Sequence, residues 1–199
     1  METVLERLAT DCAAVVPELD ARLEHERWQP GIGPFEEDEQ IRRILGQLPD
    51  REIYRNVERS VRYPGSRKQC DIVITREGDR FPVEAKLLRF KRDNGNEDPN
   101  RYTTIFSPFN ANNPTTLMHD GFRLYEPGFE LNGGLLGIYY EREQEELEQM
   151  DVNLIGEKFA QDVSYWYEFN AEIASIAPFD GLRHPVFQQG AVVTWRLVY

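Results

Sequence analysis

Apolar positions near the amino end recur at helical spacing. Leu5, Leu8, Cys12, Val15 and Leu19 are spaced alternately three and four apart, and Thr3 with Glu6 in front of them makes a capping-box signature, so the pattern predicts an opening helix. Pro17 is a point where that helix breaks or restarts. "WQPGIGPF", residues 28–35, is rich in Pro and Gly and reads as a connector. In "EEDEQIRRILGQL" the residues Ile41, Ile44, Leu45 and Leu48 share one face of a second helix, with acids in its first turn where the helix dipole favours them. Leu48-Pro49-Asp50 should stop it. "REIYRNVERSVRY" alternates only loosely and fits a strand or a short helix.

The period then changes. "CDIVIT" and "RFPVEAKLL" are β-branched or apolar runs separated by "REGD", a hairpin turn with Gly78 at its tight position. Residues 93–116, rich in Asn, Pro, Gly and Thr, read as one long loop, a length usually associated with function or mobility. A helix is expected from Pro114 or Thr115, and a buried strand at "LLGIYY" after the Asn132-Gly133-Gly134 turn. "EREQEELEQM" should be a solvated acidic helix. "LIGEKFAQDVSYWYEF" suggests another, with Ile155, Phe159, Val163 and Trp166 or Tyr167 inward, and "AVVTWRLVY" closes the chain as a strand.

At 199 residues the chain suits one compact unit. The expected division is an N-terminal helical segment over 1–30 and a main domain over 31–199. No apolar run approaches the length of a membrane span, and the N-terminus carries acids where a signal peptide has lysines, so a cytoplasmic protein is expected, with no membrane partner. Cys12 and Cys70 lack paired metal spacing and read as buried thiols. The net charge of −12 argues against a nucleic-acid partner until its distribution is considered. Residues 51 to 101 hold 13 Lys/Arg against 9 Asp/Glu, so the acidity lies elsewhere.

That basic stretch contains the candidate chemistry. On a strand, Glu84 and Lys86 share one face while Val83, Ala85 and Leu87 share the other. Pairing across "REGD" brings Asp71 close to them. Two adjacent carboxylates repel unless a cation intervenes, and oxygen ligands of this kind suit magnesium or manganese, with the substrate's phosphate completing the shell. A lysine two residues on can hold or help deprotonate a metal-bound water.

Asp71, twelve intervening residues, then Glu84-Ala85-Lys86 on a hydrophobic strand resembles the PD-(D/E)XK nuclease superfamily. The resemblance covers residues 35 to 90, extended weakly through 140. It implies an α/β, restriction-endonuclease-like fold with a central mixed sheet flanked by helices, and a metal-dependent nuclease acting on DNA in restriction, phage defence or repair. It implies that Asp71, Glu84 and the backbone carbonyl of Ala85 hold Mg2+, with Mn2+ as the alternative, and that Lys86 activates the water. A glutamate on the helix before the aspartate strand is often present in that family; Glu37 is the best match, with Glu36, Asp38 and Glu39 as competitors. Two departures are Cys70 in place of proline before the aspartate, and Pro82 inside the second strand, which suggests an edge or a bulge there.

Arg67, Lys68, Arg89, Lys91 and Arg92 flank the motif and are the candidates for phosphate contact. Tyr102, Phe106 and Phe109 are read as pinning the long loop to the core, with base stacking as the alternative. A solvated helix face accounts for His119, Asp120 and Arg123, with substrate contact as the alternative. So short a chain is expected to need a homodimer or partner subunit. The rival reading is a non-catalytic accessory subunit whose acidic surface binds another protein. Nucleophile-elbow, P-loop, zinc-protease, paired CxxC and dinucleotide-binding motifs are all absent.

Overall fold

The computed structural model describes residues 3–25, 29–49, 52–54, 56–76, 78–108, 116–125, 133–142 and 151–198. Helix α1, Val4–Asp20, begins at the expected reciprocal cap between Thr3 and Glu6 and runs on through Pro17. Helix α2 is Glu37–Gly46. The loosely alternating segment resolves into a short 3-10 turn at Glu52–Tyr54 and strand β1, Val57–Arg62. β2, Gln69–Arg76, and β3, Asp79–Arg89, form the expected hairpin, with Gly78 at φ +94° in its turn.

The long-loop expectation is corrected in part. Helix α3, Pro99–Phe106, occupies its middle, and Ile105 and Phe106 are buried in one core cluster with Leu88, Tyr139 and Phe159. Eight residues with two apolar positions at the end carry too little periodicity for the helix to show. Tyr102 is exposed on it, and Phe109 lies outside the described residues. Helix α4 is Leu117–Tyr125 and strand β4 Gly134–Glu141; the predicted start at Pro114 or Thr115 and the turn residue Asn132 lie outside the described residues. So does most of the acidic run, 143–150. Helix α5, Val152–Trp166, buries Ile155, Phe159 and Val163 as expected, while Trp166 is exposed. Strand β5, Asn170–Phe179, was not foreseen, and β6, Gln189–Val198, closes the sheet.

The sheet order is β1-β2-β3-β4-β6-β5. All neighbours are antiparallel except β3 and β4, which run parallel, so the architecture is a mixed α/β sheet. The connection that permits parallel pairing carries α3 and α4. One face packs α1 and α2 on Ile72, Ile74, Val83, Ala85, Leu87, Leu136 and Ile138. The other packs α3, α4 and α5 on Val73, Leu88, Leu135, Tyr139 and Trp195. β3 is internal to the sheet, so the edge expected from Pro82 is corrected. Pairing with β4 begins only at Val83↔Gly134, so the missing Pro82 N–H falls before that ladder starts. Among the described residues no helix is long and apolar enough to cross a membrane. Both cysteines are buried free thiols.

Candidate active site

β2 and β3 part company after one last pair, Ile72↔Val83, while β3 continues to Arg89 beside β4 alone. Two backbone N–H groups on the abandoned edge of β3 therefore need acceptors, since a strand interior cannot leave them unsatisfied. Carboxylates supply them. Ala85 N–H donates to Asp71 Oδ2 at 2.8 Å, and Leu87 N–H donates to Glu37 Oε2 at 2.9 Å. The carbonyl of a strand residue points to the same edge as its N–H, so the Ala85 carbonyl also faces this gap. The divergence of the hairpin thus draws Asp71 and Glu37 onto the strand that bears Glu84 and Lys86.

Lys86 Nζ donates to Glu37 Oε1 at 2.9 Å and lies 3.6 Å from Asp120 Oδ2. Asp120 and Arg123 come from α4, three residues apart and so on one helix face, which lies over the charged face of β3. Arg123 Nη2 is 3.3 Å from Glu84 Oε1 and is hydrogen-bonded to Asp120 Oδ1. Tyr63, the first residue after β1, donates its hydroxyl to Glu84 Oε1. Glu84 and Asp120 are almost wholly buried, at 2% and 3% exposure. The expectation that His119, Asp120 and Arg123 form a solvated face is corrected: all three are drawn inward, because α4 packs its Leu117, Met118 and Leu124 into the core from the same side. Neither Asp120, Arg123 nor Tyr63 belongs to a motif. The signal that could have found the α4 pair is an acid and a base at i,i+3 on a helix directly following the motif strands.

Four carboxylates, Glu37, Asp71, Glu84 and Asp120, converge on two cations, Lys86 and Arg123. The surplus of negative charge has physical consequences. Burial raises the Glu84 pKa well above the usual carboxylate range, and repulsion from Asp71 and Asp120 adds to this against the pull of Arg123. Burial also raises Asp120, with Lys86 and Arg123 opposing. Burial pulls Lys86 down, but Asp120, Glu37 and Asp71 outweigh it, so Lys86 sits above the ordinary lysine value as an ammonium. Cys70, beneath Glu84, is pushed up to about 12 by burial and by that carboxylate, and is an inert thiol.

Oxygen donors fit a hard divalent cation. Asp71 and Glu84 adjoin closely enough to hydrogen-bond to one another, and the cluster carries about the surplus charge that one such ion neutralises. All four carboxylates have protein partners, and among the described residues no group of three or more His, Cys, Asp or Glu side chains is placed to hold a metal ion. Two carboxylates with a carbonyl, completed by water and phosphate, is the usual economy of magnesium sites.

The five basic residues separate. Arg67 and Lys68 stand exposed in the β1–β2 turn, immediately before β2 and Asp71. Lys68 is near enough to His119 that, after burial, its charge helps to push that imidazole down to about 4. Lys91 and Arg92 lie beyond the far end of β3, with Arg92 3.7 Å from Asp98. Arg89 is corrected: it is buried at 6% exposure and donates to the Gly33 carbonyl at 2.7 Å, so its charge serves the connector rather than a phosphate. Its position on β3, an odd step from Lys86, sends it to the opposite face of the sheet. No protein-family model, curated protein or solved structure matches the chain.

Proposed function

We propose that this chain is a metal-dependent nuclease that hydrolyses phosphodiester bonds, with DNA as the first substrate to test and restriction, phage defence or repair as its setting. The observation that carries the reading is the gathering of Asp71, Glu84, Lys86 and Glu37 at the point where β2 leaves β3. A central mixed sheet flanked by helices supports the restriction-endonuclease-like fold.

Asp71, Glu84 and the Ala85 carbonyl would hold magnesium or manganese, which supplies charge neutralisation at the phosphate and a more acidic water. The chain's own residues do the rest. Glu84 would have to be ionised to serve as a ligand, so the burial that raises its pKa works against cation binding at lower pH. Lys86, held as an ammonium between Glu37 and Asp120, orients a water by donation. It accepts a proton only by first passing one to a touching carboxylate, which makes Lys86 a relay with Glu37 or Asp120 as the terminus. Glu37 fixes the ammonium and the strand edge together through its two oxygens.

The test is hydrolysis of labelled single- and double-stranded DNA and RNA in magnesium, manganese or chelator. Cleavage should require the metal and fall by about 10²–10⁴-fold in folded Lys86→Met, with Asp71→Asn losing metal binding as well. One observation favours a second reading, a non-catalytic subunit with an acidic partner-binding surface: the net charge is −12 and the site's acids are largely satisfied internally. Calorimetry separates the two readings, since a binding module takes up no manganese.

A further inference from the structure

Arg123 is the counterion of Glu84 and Asp120. The closest approach in both pairings is made by Nη2, which faces Glu84 Oε1 at 3.3 Å and also binds Asp120 Oδ1. Nε is sealed from solvent and has no acceptor among the described residues. The guanidinium carbon lies 5.8 Å from the centre of the Tyr63 ring. Guanidinium is a rigid fork of five donors matched to the paired oxygens of a carboxylate or a phosphate. A fork whose closest contacts to two different acids both fall on Nη2, with Nε unmatched, offers neither acid the paired Nε and Nη2 donors of its side edge.

We propose that Arg123 is a phosphate-binding catalytic residue exchanged between two anions: the Glu84–Asp120 pair, and the scissile phosphate once a divalent cation has taken over Glu84. This rests on the nuclease reading. A divalent cation held by Asp71 and Glu84 would neutralise the carboxylate that Arg123 now faces, and so would weaken the hold of Glu84 on Arg123. The released fork is left beside the reacting centre with Nε and Nη2 side by side. In the step itself the oxygen of water bonds to phosphorus and the bond from phosphorus to the leaving sugar oxygen breaks. One water proton passes to the Lys86–carboxylate relay, and the leaving oxygen takes a proton from solvent. Negative charge grows on the non-bridging oxygens, where an arginine acts. Lys86 cannot serve there, being anchored by Glu37 and Asp120 on both sides.

The experiment is calorimetric titration of the full chain with manganese, paired with turnover of a labelled oligonucleotide at saturating manganese, for the unaltered protein, Arg123→Ala and Arg123→Lys. Removing a competing cation should tighten manganese binding in Arg123→Ala by at least about fivefold, while turnover falls by about 10²–10³-fold. Added guanidinium ion should restore part of that turnover. Arg123→Lys keeps a point charge between the acids and guards against loss of the fold; its turnover should be nearly as low, because the fork is gone. Metal affinity and turnover falling together, or Arg123→Lys turning over like the unaltered protein, overturns the role. If the unaltered protein neither binds manganese nor cleaves, the nuclease reading falls and takes this role with it; if it does both, only the role of Arg123 is at stake.

Discussion

Burial, then the nearby charges of Asp71 and Asp120, holds a proton on Glu84 above the pH at which a free glutamate loses it. The linkage sign follows from proton counts. Between the ordinary glutamate pKa and the raised one, the folded chain binds more protons than the unfolded chain, so stability falls as pH rises through that window. His119, depressed by burial and by Lys68 and Arg123 to about 4, works in the opposite sense: its contribution is present above its ordinary 6.5 and lost as pH falls toward 4. Comparing the protein with Glu84→Gln cancels the histidine. In chelator, urea midpoints should decline with rising pH more steeply for the unaltered chain than for Glu84→Gln, and manganese should abolish the difference. Equal slopes would mean that Glu84 ionises normally. Manganese affinity should itself rise with pH over the same window, because binding releases that proton.

The position of Glu37 is set by an element that carries no chemistry. The connector before α2 folds back on α1, where buried Asp20 accepts from Ile32 N–H at 2.9 Å and from Arg183 N–H at 2.8 Å. Gly31, at φ +98°, packs against that carboxylate so closely that a Cβ would stand 2.1 Å from Asp20 Oδ1. Gln40, fully buried in α2, donates to the carbonyls of Gly33 and Phe35 and accepts from the Tyr140 hydroxyl at 2.7 Å. Arg89 braces the Gly33 carbonyl from β3. Gln40→Ala should therefore cost about 2–3 kcal/mol by leaving buried polar groups unmatched. It should lower turnover more than manganese affinity, since Asp71 and Glu84 keep their own supports while α2 loosens. Denaturation and calorimetry on the same preparation check both, and an unchanged turnover would remove the connector from the argument. Helix α2 was legible from its apolar spacing, and the connector from Pro and Gly. That Gln40 and Arg89 join them was not, because their partners lie on strands and loops distant in sequence.

At the scale of the whole molecule, charge decides how a chain of −12 could approach a polyanion. Arg67 and Lys68 are exposed in the β1–β2 turn just before β2 and Asp71, and Lys68 lies near His119 of α4. If they meet phosphates, Arg67→Ala with Lys68→Ala should weaken oligonucleotide binding and reduce the slope of log K against log salt by roughly 1.4–1.8, at about 0.7–0.9 per contact. The same change at Lys91 and Arg92, which follow the last residue of β3 and of which Arg92 lies 3.7 Å from Asp98, should leave the slope nearer its starting value. Fluorescence anisotropy over a salt series in manganese measures both, and equal effects would show a diffuse field rather than a located contact. Divalent metal should also strengthen binding, because the cluster otherwise presents surplus carboxylate to the phosphate.

Local pattern carried much of this molecule. The cap of α1, the face of α2, the hairpin of β2 and β3 and the strands β4 and β6 follow from apolar spacing and turn residues, which act between near neighbours. Asp71, Glu84 and Lys86 were legible for the same reason, since a period of two and one tight turn bring them together. β5 was missed because its half-buried face, Ala174 to Ala177, blurs the alternation, and α3 because it is short. What only the tertiary structure decided is the remainder of the site. Tyr63, Asp120 and Arg123 reach Glu84 through the splaying of a hairpin and the docking of a helix. Both are set by packing between segments far apart in the chain, which leaves no local trace in the order of residues.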